Sequence, residues 1–160
     1  MSPHMVSPIF MVLRIIGVVI GIWAGFEQLY LGHNLEAIRQ LTVWTVTSLG
    51  IISGIGNCFF NKDVAESLGW RTGSNFQKEL GFMHFAFAFT ALIIFFFRVG
   101  PQADITLLTP YMIFYLMCAL LHLWNALHFR RYTWQTITTV ILIFIMIGYV
   151  AFFGFKALQV

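Results

Sequence analysis

Leu80 to Phe97 reads LGFMHFAFAFTALIIFFF, a run of 18 residues without Asp, Glu, Lys or Arg. An α-helix rises about 1.5 Å per residue and the hydrocarbon core of a bilayer is about 30 Å thick, so a helix of this length crosses most of it. Four further apolar runs of comparable length lie at residues 9–31, 41–60, 105–127 and 136–155. Backbone amides find no water inside lipid, and each run is therefore predicted to be a transmembrane helix.

The composition of the chain agrees with a membrane location. Hydrophobic residues make up 59% of its 160 residues and charged residues only 9%, whereas soluble domains carry about 25% charge. The fold is therefore predicted to be all-α, a single polytopic membrane bundle of five transmembrane helices over residues 1–160. The first run is longer than the roughly 7 to 15 apolar residues of a cleavable signal, so it is expected to remain as a helix.

Basic residues predict how the bundle lies in the membrane. With five spans, the N-terminus, the loop 61–78 and the loop after the fourth span share one side, whose basic residues are Lys62, Arg71, Lys78, Arg130 and Arg131. The opposite side has fewer: Arg39, Arg98 and Lys156. The positive-inside rule then places the N-terminus and the loop 61–78 in the cytoplasm, with the bacterial inner membrane as the expected location. No basic run typical of nucleic-acid contact is present, so no nucleic-acid partner is expected.

The loop 61–78 is predicted to contain a short helix. Asn61 is placed to cap its N-terminus, and Asp63 and Glu66 follow in its first turns, where acidic side chains are favourable. Ser74 or Asn75 is then expected to cap the start of the third span.

Glycines recur every four residues in the first two spans. The first span carries Gly17, Gly21 and Gly25, and the second carries Gly50 and Gly54. Residues four apart share a helix face, and small residues there let two backbones approach closely. These ridges predict that the first span packs tightly on the second; the alternative is a seam between copies in a homo-oligomer.

Polar residues at membrane depth are expensive and therefore mark candidate functional sites. His84 and His122 lie about five and six residues inside the cytoplasmic ends of the third and fourth spans, which predicts that the two imidazoles share a level. Cys118 and Asn125 fall near the same helix face as His122, and Glu79 begins the third span. The predicted polar layer at the cytoplasmic third comprises Arg14, Asn57, Cys58, Glu79, His84, Cys118, His122 and Asn125.

Three kinds of chemistry suit such a layer. His84 and His122 on facing helices are candidate ligands for a haem or a transition metal. Alternatively, Glu79, His84, Cys118, His122 and Asn125 bind a small apolar ligand such as a quinone, or relay protons. The third reading is a hydrogen-bonded network that only fixes helix packing.

The function predicted first is a membrane module that binds a cofactor, a metal or a small apolar ligand, with a redox role as one version. The alternatives are a small permease or channel, and an accessory scaffold subunit. The expected partners are the lipid bilayer and either further copies of the chain or a larger membrane complex. Whether any catalysis occurs stays open. Cys58 and Cys118 are expected to be free thiols, because both lie near the reducing cytoplasmic side.

Two stretches carry a family resemblance: residues 64–70 read VAESLGW, and residues 73–82 read GSNFQKELGF. The pattern resembles small, uncharacterised multi-span bacterial membrane proteins, grouped as a domain of unknown function and loosely similar in build to DoxX-like proteins. It covers the end of the second span, the loop and the third span, with a weaker match at Leu121 and His122. The resemblance implies no activity, but it singles out Glu66, Trp70, Gln77, Glu79 and His122 for testing.

Overall fold

The computed structural model describes residues 3–67, 75–129 and 134–157, which form six helices and contain no strand. The helices are α1 (Pro3–Tyr30), α2 (Asn34–Phe59), α3 (Asn61–Ser67), α4 (Phe76–Phe97), α5 (Pro101–Phe129) and α6 (Trp134–Ala157). All except the short α3 are long and apolar enough to cross a membrane. The prediction of an all-α bundle with five membrane-spanning helices is confirmed.

The helices extend beyond the apolar runs, most of all at the start of α2. This helix begins at Asn34, seven residues before the predicted span, because its polar first turns are held by their own side chains. Arg39 and Gln40 both donate hydrogen bonds to the Glu36 carboxylate, at 3.2 and 2.9 Å. Pairs three or four residues apart stabilise a helix in this way. The start of α5 moves back to Pro101, a residue type favoured at the first helical position.

The helix α2 lies at the centre of the bundle and contacts each of the other five. In its most apolar stretch 61% of the residues are buried, against 17% to 28% in the other four spans. It also has the lowest mean hydropathy of the five, 1.3. The high burial and the low hydropathy of α2 are related, because a helix that its neighbours screen from lipid can keep polar side chains inside the membrane. The buried polar side chains of α2 include Thr42, Thr45, Ser53 and Asn57.

The glycine ridges pack against two different neighbours. A methyl group at Gly21 would lie 2.8 Å from Thr45 Oγ1, and one at Gly17 would overlap Ser48, so this part of the first ridge faces α2 as predicted. At Gly25 the nearest atoms belong to the ring of Phe153 on α6. A methyl group at Gly50 would instead lie 2.6 Å from the carbonyl oxygen of His84 on α4. The expectation that the second ridge also joins the first two spans is therefore wrong. Ser48 and Gly50 are about 200° apart around the helix, so they face different neighbours.

Side-chain contacts show which helix ends lie together. Arg39 near the start of α2 donates to the carbonyl of Phe95 at the end of α4. Asn34 Nδ2 donates to the carbonyl of Lys156 at the end of α6, at 3.2 Å. We call this end of the bundle the Arg39 end. The opposite end, where α4 begins beside Lys78 and α2 finishes, is the Lys78 end.

The loop after α2 contains the predicted short helix, but its caps differ from the expectation. Asn61 is the first helical residue of α3 rather than its cap, and Val64 N donates to the carbonyl of Phe60 at 2.9 Å. Asn75 precedes α4 in a helical conformation and its side chain makes no capping hydrogen bond. Ser74 and Trp70 lie outside the described residues.

Candidate functional site

His84 lies on the one face of α4 that is turned into the bundle. Its neighbours on this face are Gln77, Gly81 and Ala88, three or four residues apart and all buried. Phenylalanines occupy most of the remaining surface, and Phe82, Phe89 and Phe96 among others are exposed. The side chain of His84 is only 4% exposed. The phenylalanine side chains of this span therefore cover its outer surface, and the His84 imidazole is directed into the bundle.

Aromatic rings of α5 surround this imidazole. The ring centroid of His84 lies 5.4 Å from that of Phe114, 5.9 Å from that of Tyr115 and 6.4 Å from that of Tyr111. Tyr111 is fully buried, and Tyr115 and Phe114 are partly buried. Tyr111 and Tyr115 are one turn apart on α5, so both phenol groups reach the same level as His84.

Three hydroxyl groups form a chain beside the imidazole. The Tyr111 hydroxyl donates to the Tyr115 hydroxyl at 3.4 Å, and Ser53 Oγ on α2 lies 3.4 Å from the same Tyr115 oxygen. Bonds between hydroxyls are usually about 2.7 to 2.8 Å long, so these are weak. The His84 Nδ1 atom is buried and has no partner among the described residues. We call His84, Ser53, Tyr111 and Tyr115 the His84 cluster.

Arg14, a member of the predicted polar layer, lies on α1. It lies three and seven residues before Gly17 and Gly21, on the face of α1 that packs on α2, and it is partly exposed. Its Nε atom is buried without a hydrogen-bond partner.

No acidic side chain of the described residues forms an ion pair with Arg14. All six acidic residues of the chain lie in the described part, and the ion pair found there joins Arg39 to Glu36. The partly exposed Arg14 therefore has no ion-pair partner among these side chains.

The other residues predicted for the site lie around the cluster rather than within it. His122 is buried, but it lies seven residues beyond Tyr115, about 10 Å further along α5. The two histidines therefore differ in depth, contrary to the expectation of a shared level. Cys118 and Asn125 are partly buried on the same stretch of α5.

Glu79 is exposed on the surface of α4, whereas Gln77 takes the buried position near the Lys78 end. The structure thus brings His84 together with Tyr111 and Tyr115, and it leaves Glu79 outside. Sequence reasoning missed both tyrosines because it selected Arg, Asn, Cys, Glu and His side chains within the spans and did not consider the phenol groups. Their spacing, one turn apart and in register with Cys118 and His122, was the available signal.

The described residues contain no group of three or more His, Cys, Asp or Glu side chains placed to hold a metal ion. A haem with two axial histidines needs both rings at one level, whereas His122 lies about 10 Å along α5 from Tyr115, whose ring neighbours His84. A metal or haem at these two residues therefore stays a prediction without geometric support. Cys58 and Cys118 are both free, as expected.

A second polar cluster at the Arg39 end was not predicted as a site. Asp104 on α5 is 1% exposed and its Oδ2 atom has no partner among the described residues. The charges of Arg39 and Glu36 act on this carboxyl group. Arg39 also lies 4.8 Å above the ring of Phe95. We call Glu36, Arg39, Gln40 and Asp104 the Arg39 cluster.

Asp104 was missed because the fourth span was expected to start at residue 105. The signal that places it inside the helix is Pro101, since proline favours the first helical position and sets the true start three residues before Asp104.

The fold and these buried clusters define a polytopic α-helical membrane protein that gathers polar groups inside an apolar bundle. The chain belongs to a protein family described as a family of unknown function (DUF6790), whose model matches residues 4–156. The predicted resemblance to an uncharacterised family is thereby confirmed. Comparison with curated proteins and with solved structures gave no match.

Proposed function

We propose that this protein is a membrane module that binds a small ligand, with an apolar body and a hydrogen-bonding head group, at the His84 cluster. The observation that carries the proposal is the buried His84 imidazole, whose Nδ1 atom lacks a partner beside the hydroxyls of Tyr111 and Tyr115. Cys118, His122 and Asn125 continue the same stretch of α5 and flank the site, whereas Glu79 lies outside it on the surface of α4.

The hydrogen-bonding state of the cluster favours a ligand over a purely structural network. A buried polar group without a partner costs about 1 to 3 kcal/mol. A structural network therefore normally satisfies its members, yet the His84 cluster has an orphaned ring nitrogen and two oxygen pairs at 3.4 Å. A ligand oxygen among these groups would complete their hydrogen bonds.

The surroundings of the cluster suit an apolar ligand body. Phe114 and Phe87 pack against His84 and Tyr111, respectively. Leu108, one turn from Tyr111, lines a partly open apolar cavity of about 240 Å³ between α2, α5 and α6. Tyr115 and Cys118 are partly accessible, which gives a ligand a way in along α5.

Several features of the proposal concern the cellular setting. We place the protein in a bacterial inner membrane. The positive-inside rule favours an orientation with the Lys78 end in the cytoplasm. We regard its build as loosely DoxX-like. It works there as a homo-oligomer or within a larger membrane complex. The redox version of the function has a quinone-like acceptor at the His84 cluster.

The proposal predicts that protein purified in mild detergent carries a small organic molecule that depends on His84. We expect His84→Ala and Tyr115→Phe to lower its occupancy in native mass spectrometry, because each removes a hydrogen-bonding group at the cluster. Thr90→Ala, an exposed change on the same helix, should leave occupancy unaltered. Retention of full ligand content by a folded His84→Ala protein rules out the site.

An absorption spectrum and elemental analysis of the same samples separate the versions of this function. An organic ligand predicts a colourless protein without stoichiometric iron, copper or zinc. A Soret band or a stoichiometric metal that disappears in His84→Ala would replace the organic ligand by a cofactor at the same residue.

A second candidate function, a small permease, is favoured by the distribution of buried polar groups along the bundle. Asp104 lies at the Arg39 end, Thr42 and Thr45 follow on α2, and Ser53 and Asn57 continue towards the Lys78 end. Buried polar groups along a span are typical of ion or proton pathways.

The permease function predicts proton flux in liposomes that Asp104→Asn abolishes, because the amide cannot exchange a proton. Glu27→Gln, an exposed change, is the matched control and should retain flux. Equal flux in protein-free liposomes and in liposomes with the wild-type protein contradicts this function.

A further inference from the structure

We infer that two copies of this chain pair through α4, whose outward face packs against the same face of the other copy as a parallel two-stranded coiled coil. The residues of this face, which we call the α4 seam, are Glu79, Phe82, Ala86, Phe89, Ile93 and Phe96. The inference specifies the homo-oligomer of the proposed setting, and it does not depend on a ligand at the His84 cluster.

The exposure and spacing of the α4 seam are the first support. All six residues are exposed, and they follow one another at alternating steps of three and four residues. Phe82, Phe89 and Phe96 are 66%, 57% and 72% exposed. Such a seven-residue repeat is the pattern of a coiled-coil seam. Ile93 is nine residues beyond His84, a rotation of about 180°, so the α4 seam lies opposite the face that is turned into the bundle.

The sizes of the side chains along the α4 seam fit a second copy. The three phenylalanines occupy one of the two core positions of the heptad, and the smaller Ala86 and Ile93 occupy the other. Lipid requires only that this face be apolar, whereas knobs-into-holes packing requires bulky side chains to meet gaps on the facing helix. An identical helix presents the same repeat, and twofold pairing brings each phenylalanine next to its own counterpart. Aromatic rings also attract one another in offset or edge-to-face arrangements.

Charges at the Lys78 end are the second, independent support. Lys78 and Glu79 are both exposed, and the part of the chain that the structure describes gives neither an ion-pair partner. The positive-inside rule gives every copy the same orientation, so two α4 helices pair in parallel. In a parallel coiled coil, the residue just before a core position borders the core residue of the facing helix. Lys78 of each copy therefore lies beside Glu79 of the other, and the complementary pair occurs twice.

The other candidate seams are less suitable for joining two copies. The glycine ridges are used within the chain, since a β-carbon at Gly21 would meet Thr45 and one at Gly54 would meet the ring of Phe85. An open groove between α1 and α6, at Phe26 and Gly148, has no charged residue in its lining. Among these faces, the α4 seam combines a regular heptad with complementary charges.

Cysteine cross-linking in membranes tests the position of the seam. Single cysteines are placed in a Cys58→Ser, Cys118→Ser background, and the membranes are oxidised with copper phenanthroline. A disulfide needs Cα atoms about 4.4 to 6.8 Å apart, which only positions facing each other across the seam reach. We expect Ala86→Cys and Phe89→Cys to form covalent dimers and the background protein to form none.

Exposed positions on other helices are the matched controls. Ile113→Cys on α5 and Ile145→Cys on α6 replace residues that are 53% and 49% exposed, and both should stay monomeric. Dimers from Ile145→Cys but not from Phe89→Cys would place the seam at α6 and overturn the inference. Equal cross-linking of all variants would indicate random collisions, and it would overturn the inference as would monomers throughout. None of these outcomes affects the binding function, which is tested at His84.

The strength of the dimer in liposomes, measured by energy transfer between labelled copies, tests the packing. Phe89→Ala should weaken the dimer about 2- to 10-fold, the range for the loss of one aromatic pair. Phe144→Ala, which removes an exposed phenylalanine of α6, should leave the dimer unchanged. Equal effects of the two variants would overturn the inference.

A charge exchange tests the parallel direction. Glu79→Gln removes both ion pairs of the dimer and should weaken it about 2- to 30-fold, as expected for two exposed pairs. Glu79→Lys should weaken it further, because Lys78 of the other copy then repels the new charge. Addition of Lys78→Glu to Glu79→Lys should restore the dimer. A double variant as weak as Glu79→Lys alone would overturn the parallel α4 seam.

Discussion

Gly50→Val is expected to lower the free energy of unfolding by about 3 kcal/mol or more, the upper end of the cost of overpacking a core. A β-carbon at this position would lie 2.6 Å from the carbonyl oxygen of His84 and 2.8 Å from the β-carbon of Ala88. The first of these contacts is a backbone atom, so it cannot move away by a change of rotamer. The two helices must separate, and His84 moves with α4.

Thermal unfolding in detergent, with Gly148→Val as the matched control, measures this effect. A β-carbon at Gly148 meets nothing within 4 Å, so the control should unfold near the wild-type temperature. Gly50→Val should also reduce ligand occupancy at the His84 cluster, because it displaces α4. Wild-type stability of Gly50→Val would contradict the close approach of α2 and α4.

Arg39→Ala is expected to destabilise the bundle by about 2 kcal/mol, because hydrogen bonds to a charged group contribute about 1.5 to 3 kcal/mol and this pair is only partly buried. The guanidinium pairs with Glu36, donates to the carbonyl of Phe95 and lies over the ring of Phe95. It therefore joins the start of α2 to the end of α4. Its removal also leaves two acidic side chains, Glu36 and Asp104, near one another without their cation.

The shared electrostatics of the Arg39 cluster predict a specific non-additivity. Asp104→Asn removes one of the two acidic charges left by Arg39→Ala, so the double variant should lose less stability than the sum of the single variants. Residues in one charge network show coupling of about 0.5 to 3 kcal/mol. The control is Arg98→Ala, an exposed basic residue after α4, which should have little effect. Strict additivity would show that Arg39 and Asp104 act independently.

The polar groups show where sequence reasoning reached its limit. His84 was singled out because an imidazole within an apolar span is conspicuous, and its inward direction was expected from the cost of exposing it to lipid. The residues predicted to lie at the same level as His84 were partly wrong, because His122 lies at another depth and Glu79 lies outside the cluster. Depth was counted from predicted span ends, and the true end of α4 lies four residues earlier, at Phe76. An offset of a few residues at each end changes the level at which side chains meet by a full helical turn.

The Arg39 cluster shows the same limit at the other end of the bundle. Apolar runs mark only the part of a helix that lies in lipid, so residues 34–40 and 101–104 were assigned to loops. Asp104 and Arg39 thus looked like loop residues, although the structure makes both helical and buries the carboxyl group of Asp104. The first-turn signals, Pro101 above all, were present but weaker than the hydropathy pattern.

The amino-acid sequence by itself determined the class, the number of spans and the order of the helices. Lipid imposes one requirement on each span separately, a sufficient length of apolar helix, and such a requirement is readable from consecutive residues. Only the tertiary structure decided that α2 is central, that Gly50 meets α4 rather than α1, and that His84, Tyr111 and Tyr115 share one site. These are relations between side chains that lie far apart in the sequence, and they depend on how the faces of neighbouring helices pack together.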